Sequence, residues 1–326
     1  MHQFLIIFFI LFISFFAQAN PNNSLYGDFR YTVGKFESKD SAGIKTNFMK
    51  ANNNGSRLGF KGSYSEGELK ALYHYELGAV NDSGGSGVTS RFYYAGLNSE
   101  KLGTLKYGRM STPYKMAGLR VDPFYDTSAG KGNAGAMFGL SSNLTNGWTN
   151  NSINYWSPEF QSLTLNAGVY LADQKSTSAD YNVGLRYNKE GIDAGVQFAR
   201  IKEGAAIANS TARDEAIRLH TKYTTDKWSL GFSYETFDSN SGNDANYIYT
   251  AGTYSFFDDT KLAVSYGNAS DTGNVALDGN GFAVGVFHQL MSKTEVHILF
   301  SNVDLDDNSM QRTIAIGINH KFSWEI

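Results

Sequence analysis

The chain has 326 residues with 34 Gly, 4 Pro, no Cys, 14% aromatic side chains and a formal charge of −3. Lack of Cys excludes a disulfide framework, and so small a net charge gives no support to a nucleic-acid partner. The six histidines (His2, His74, His220, His288, His297, His320) show no close ligand spacing, so no metal and no cofactor are expected.

Residues 1–19, MHQFLIIFFILFISFFAQA, contain no Asp, Glu, Lys or Arg. An apolar run from Phe4 to Phe16 leads into Ala17-Gln18-Ala19, the small-x-small pattern of a secretory signal cut after Ala19. The other reading is a short membrane anchor, but the run falls below the about 20 residues that a spanning helix requires. A single domain is expected over 20–326.

From residue 25 onward, apolar and polar side chains alternate with period two, the mark of β-strands. About sixteen are expected, near 25–35, 56–63, 68–79, 88–98, 102–110, 151–157, 160–173, 179–189, 192–203, 214–224, 227–237, 245–257, 260–269, 279–290, 293–303 and 310–322. In 68–79, Leu69, Ala71, Tyr73, Tyr75 and Leu77 oppose Glu68, Lys70, His74 and Glu76. In 214–224, Ile217, Leu219 and Tyr223 oppose Arg218, His220 and Lys222. In 227–237, Trp228, Leu230, Phe232 and Tyr234 oppose Ser229, Gly231, Ser233 and Glu235. Pro21, Pro113, Pro123 and Pro158 all fall outside strand interiors, as ladder hydrogen bonding demands.

Period alone leaves two architectures open: a soluble sandwich, or a membrane barrel with apolar faces in lipid and polar faces around a wet lumen. Three features favour the barrel. Many strands reach ten residues, enough for a tilted membrane crossing. Aromatic residues gather near strand ends, at Tyr93, Tyr94, Tyr187, Trp228, Phe256, Phe257, Phe322 and Trp324, as interfacial girdles require. Short connections (NSEK at 98–101, NKEG at 188–191, TTD at 224–226) alternate with long polar ones (80–87, 204–212, 238–244, 270–279). The expected fold is all-β, a transmembrane antiparallel up-and-down β-barrel.

Between Met110 and Asn150 the alternation stops. A sixteen-strand barrel is too wide for its own side chains to fill and leaves an aqueous channel. This segment, 110–150, is long enough to fold inward and narrow it. Pro113 and Pro123 limit its backbone freedom, and Gly118, Gly130, Gly132, Gly135 and Gly139 allow close contact with the wall.

SLYGDFRYTVG at 24–34, GSRLGFKG at 55–62, TSRFYYAGL at 89–97, LGTLKYGR at 102–109, TPY and DPF within 112–124, NNSINYWSPEF at 150–160 and IGINHKF at 316–322 occur in an order and spacing that resemble the Gram-negative general diffusion porins. The resemblance covers nearly the whole mature chain. It implies an outer-membrane homotrimer in contact with lipid and lipopolysaccharide, an inward third loop, and passive diffusion of ions and small hydrophilic solutes. It also implies a constriction with Arg57, Arg91 and Arg109 on the wall against Asp122 and Asp126 on the loop, where opposed charges set up a transverse field. Lys61 shares the face of Arg57, whereas Arg109 shares that of Leu105 and Tyr107, so its parity is ambiguous. Trp148 and Asn154 stand where the family often has further arginines, and Lys115 and Arg120 lie in the loop itself. The tail SWEI extends past Phe322, the expected terminal aromatic, and is read as a longer last strand. The rival function is a sugar-selective porin with an aromatic ladder from Trp148, Trp156, Phe124 and Tyr125. No G-x-S-x-G element frames a nucleophile, so no catalytic residue and no enzyme are expected.

Overall fold

A computed structural model describes residues 22–326 except 80–86, 132, 138, 143, 145, 146, 172–178, 202–213 and 240–242. The expected signal and most of the loops at 80–87, 204–212 and 238–244 lie outside the described residues. Alternation along the chain becomes a closed antiparallel sheet. Its strands are β1 (Asn22–Lys39), β2 (Lys45–Asn53), β3 (Arg57–Glu66), β4 (Leu69–Ala79), β5 (Val88–Ser99), β6 (Gly103–Ser111), β7 (Trp148–Trp156), β8 (Leu163–Tyr170), β9 (Asp180–Lys189), β10 (Ile192–Ile201), β11 (Asp214–Thr224), β12 (Trp228–Ser239), β13 (Asn243–Phe257), β14 (Thr260–Ser270), β15 (Gly279–Met291), β16 (Thr294–Leu305) and β17 (Met310–Glu325). A short helix, α1 (Pro113–Leu119), lies between β6 and β7.

β17 pairs with β1 from Ser24↔Glu325 to Lys39↔Met310 and closes the sheet. β2 and β3 lie end to end along β1, from Lys39↔Lys45 to Tyr31↔Asn53 and then from Asp28↔Arg57 to Asn22↔Ser63. They are two halves of one bent strand, so the barrel has sixteen strands. The bend at Asn54–Ser56 is held by side chains. Asn53 Oδ1 accepts from Ser56 N–H at 2.7 Å, and Asn54 Nδ2 donates to Thr32 Oγ1 at 2.9 Å.

The faces settle the sandwich-or-barrel choice. Leu58, Leu69, Leu105, Ile217, Leu230 and Ile316 are exposed, while Glu76, Arg218, Ser233 and Glu235 are buried on the other parity. Apolar side chains point outward and polar ones inward, as lipid outside and water inside require. Closure also leaves no open barrel edge in the membrane. Tyr93, Trp228, Phe256, Phe257 and Trp324 are exposed on the outer surface. Tyr94, expected with them, instead takes the lumen parity and has the Lys106 ammonium 4.7 Å from its ring.

The sequence pattern misses one feature. Residues 36–53 form the top of the β1–β2 hairpin, and among the described residues β2 pairs with β1 alone. From Lys45 to Ala51 every residue of β2 is exposed. A strand standing clear of its neighbour has no lipid-facing row to keep apolar, so its period is blurred. The SWEI tail, by contrast, does lengthen the last strand, with Trp324 opposite Leu25.

Candidate functional site

At Ser111 the chain leaves the wall and enters the lumen. Thr112 caps α1, its Oγ1 accepting the Lys115 N–H at 3.1 Å, and Pro113 occupies the first turn, where its missing N–H costs nothing. α1 then packs on the inner face of β8–β11. Arg218 on β11 lies under it, buried, with its guanidinium 4.9 Å from the Tyr114 ring, donating to Ala134 O at 3.2 Å and to Glu235 Oε2 at 2.5 Å. Glu235 also accepts from the Ser142 hydroxyl. Arg218 thus holds the start and the middle of the inward segment, and its partner Glu235 holds Ser142 nearer the end.

Further along, the segment follows the lumen wall. Val121 lies against Gly231 and Met137 against Gly267, places where a Cβ would meet the loop at 3.0 and 2.5 Å. Phe124 packs on Phe287 with ring centroids 5.8 Å apart, and Ser128 shares a 2.7 Å hydrogen bond with Thr32 of β1. Asp122, expected on the acidic side of the constriction, is occupied elsewhere. Its carboxylate accepts the Tyr249 hydroxyl at 2.7 Å and the N–H groups of Phe124 at 2.8 Å and Gly135 at 3.2 Å. Burial raises its pKa to about 6. It pins the loop to β13, and among the described residues no arginine pairs with it. Phe124 is likewise 1% exposed and offers no stacking face.

Asp126 is placed against the opposite wall. Its Oδ2 lies 2.9 Å from Arg57 Nη1 and 3.4 Å from Arg30 Nη1. Asp28 completes a four-member cluster, 2.8 Å from both Arg57 and Arg30. The expected partners therefore touch rather than face each other across a gap. Asp28 and Arg30 were not anticipated, although their shared parity in GDFRY places them on the face that also holds Thr32. Arg91 is held by Glu76 of the adjacent strand, Nε to Oε1 at 2.6 Å. Glu76 also accepts from Tyr26 at 2.5 Å.

Trp148, the first residue of β7, gathers cations. Lys115 Nζ lies 4.4 Å from its ring, the Arg91 guanidinium 4.8 Å and that of Arg109 5.8 Å. Lys115 was expected only as an anomaly in the loop. Burial first, and then the nearby Arg91 charge, push its pKa down to about 6 against the pull of Asp126. Arg109 does not join Asp126. It donates to Ser90 O and to Asn150 Oδ1, both at 2.7 Å, from a position opposite Tyr93. Lys61 lies apart, its ammonium 5.2 Å from the Tyr26 ring. Trp156 lies under Lys106 at 5.0 Å, so the four rings of the supposed sugar ladder do not form one row.

A profile of Gram-negative porins matches residues 7–308. No curated protein matches the sequence. Among solved structures, the anion-selective porin of Comamonas acidovorans superposes with TM-score 0.77 at 20% identity, covering 93% of this chain and 100% of that one. OmpT of Vibrio cholerae in a trimer form gives 0.70 at 17%, covering 93% and 99%. Salmonella typhi OmpF in complex with daunomycin gives 0.67 at 14%, covering 93% and 97%.

Proposed function

The chain belongs to the Gram-negative porin family, and on that premise we propose that its pore favours small hydrophilic anions. Membership makes it an outer-membrane channel for passive diffusion rather than an enzyme. The observation that carries the anion preference is the convergence of the Arg91 and Arg109 guanidinium groups on Trp148, where Lys115 adds a third positive charge once it is protonated, below about pH 6. The acids close by are already compensated, Asp28 and Asp126 by Arg30 and Arg57, Glu76 by Arg91. Arg109, by contrast, donates to the neutral acceptors Ser90 O and Asn150 Oδ1 and keeps its charge for the pore, and side-chain charge along a pore sets which ion enters more readily. Arg57, Arg91, Asp126, Lys115 and Trp148 form the working part of the constriction in this reading. Lys61 and Arg109 tune the field around it, and Asp122 keeps the loop in place.

The apolar belt sits among outer-membrane lipid and lipopolysaccharide, and the protein assembles as a homotrimer, the state named for one OmpT structure. Residues 1–19 are removed on export. An SDS-resistant oligomer in unboiled samples tests the trimer. Reversal potential across a planar bilayer, in a KCl gradient, tests the preference. Chloride should carry more of the current in the native protein. Arg91→Ser should move the reversal potential toward cation preference, since it removes one positive charge and releases Glu76 as a free acid. A cation-selective native channel, or an Arg91→Ser channel indistinguishable from it, would refute the assignment.

A further inference from the structure

A cavity of about 440 Å³ opens beside the Arg57–Asp126 contact, between the β1–β2 hairpin and the inward loop. Its walls differ in kind from the rest of the lumen. On the hairpin, Phe36 and Phe48 are register partners and their rings stack at 5.7 Å. Phe36 shares the parity of Arg30 and Thr32, which meet the loop at Asp126 and Ser128. Phe48 and Lys50 face the same way, opposite Phe36 and Gly34. From the far side come Tyr125, Lys131 and Trp148. Four aromatic rings and two lysines thus border one space.

Phe48 keeps 46% of its surface exposed although it lies on the inner side of the hairpin. Water meets a ring there, and a ligand with an apolar body would displace that water favourably. The charge of the space is positive. Asp126 lines it, but its carboxylate is taken by Arg57 and Arg30. Partial burial first, and the Lys50 charge second, lower the pKa of Lys131, so the two ammonium groups sense each other across the cavity. Lys131 also holds a left-handed backbone, φ 47°, a conformation unfavourable for a side chain with a Cβ and kept where position matters.

We propose that this cavity is a binding subsite for small aromatic carboxylates and similar ring-bearing anions. The ring lies between Phe48 and the Tyr125–Trp148 side, and the carboxylate lies toward Lys50 and Lys131. The subsite rests on the reading of the chain as an open anion-preferring channel, and it adds a residence point at the pore mouth. A neutral sugar would use the rings but gain nothing from the lysines. A small inorganic or aliphatic anion would use the lysines but leave the rings wet.

The test is current block in a planar bilayer holding the refolded full mature chain, with KCl as carrier. KCl conductance without additive reports the channel itself, so loss of the channel and loss of the subsite are read separately. Sodium benzoate is the probe, with sodium acetate, benzyl alcohol and maltose as comparisons. Benzoate should reduce the current in a saturable way, at concentrations where the other three do not. Phe48→Ser should raise the half-blocking concentration about 3–10-fold, the range for loss of one aromatic contact. Lys50→Gln should raise it about 2–5-fold, the range for one solvent-exposed charge. Both positions lie on the exposed hairpin, and heat-modifiable gel migration checks that each variant folds. The proposal is overturned if a conducting channel shows no benzoate block. It is equally overturned if acetate, benzyl alcohol or maltose blocks as well as benzoate, or if both folded variants keep the native half-blocking concentration.

Discussion

Lys115 couples the pore to pH. Its ammonium lies between Trp148 and Tyr125, with Arg91, Arg57, Arg109 and Asp126 around it, and its pKa falls to about 6. Above that value the amine is neutral, and below it the pore gains a positive charge. Asp122, with its pKa raised to about 6, loses a negative charge over the same range, so both changes act in one direction. Anion preference should therefore rise as pH falls from 8 to 5. Lys115→Met should remove part of that rise and leave the part due to Asp122. A full-sized pH response in the folded Lys115→Met channel would assign the effect elsewhere. The resemblance points to Arg57, Arg91 and Asp126, and of these Arg57 meets Asp126 while Arg91 pairs with Glu76. It does not foresee the bond from the Tyr249 hydroxyl to Asp122, because Tyr249 is 127 residues away and no local pattern connects it to the loop.

At the scale of elements, the inward loop is fastened by a buried ion pair. Arg218 and Glu235 are each 1% exposed at the side chain and 2.5 Å apart, with Tyr114, Ala134 and Ser142 of the loop bound to them. Breaking such a pair on one side leaves an unsatisfied buried charge and costs about 3–5 kcal/mol, whereas replacing both partners by apolar groups is often nearly neutral. Arg218→Met should lower the heat-modifiability transition and make single-channel current noisier, as the loop loses its anchor. Adding Glu235→Leu should restore much of the thermal stability without restoring the quiet current, because Ser142 and Ala134 stay unbound. If the single variant is as stable and quiet as the native protein, the loop is held by its other contacts alone. The extent of this element was legible, since alternation stops at Met110 and resumes near Asn150. The course of the loop was not legible, apart from one clue. Gly231, Gly267 and Gly285 fall on the lumen parity of β12, β14 and β15, and the loop lies against each. A row of glycines on an inward face marks a wall that something approaches. The β1–β2 hairpin was missed for the opposite reason, since strands above the membrane escape the lipid constraint that makes the others alternate.

For the molecule as a whole, one ladder joins the two ends of the chain. With β2 and β3 counted as one bent strand, all other neighbouring strands are also neighbours in sequence, so β1–β17 is the contact of greatest separation and the step that abolishes the open edges. Long-range pairing of this kind forms slowly, because the loop-closure entropy falls due before the contact is gained. The ladder holds sixteen residue pairs, and the SWEI tail supplies three of them, Tyr26↔Ser323, Leu25↔Trp324 and Ser24↔Glu325. Trp324 also packs on Phe322 at 4.8 Å, and Phe322 on Phe29 at 5.8 Å. Phe322 therefore keeps its aromatic neighbour on β1 when the tail is absent. A chain ending at Phe322 should still close in detergent, with native KCl conductance, since Asp28, Arg30 and Thr32 keep their register partners Lys321, Asn319 and Gly317. It should refold more slowly and lose its heat-modifiable form at a lower temperature, because the last pairs of the seam are gone. Refolding followed on unboiled gels reads both quantities. Native kinetics and stability in the truncated chain would mean that the seam is complete at Phe322 and the added pairs carry no weight. Failure to close at all would mean that the tail nucleates the seam rather than merely extending it.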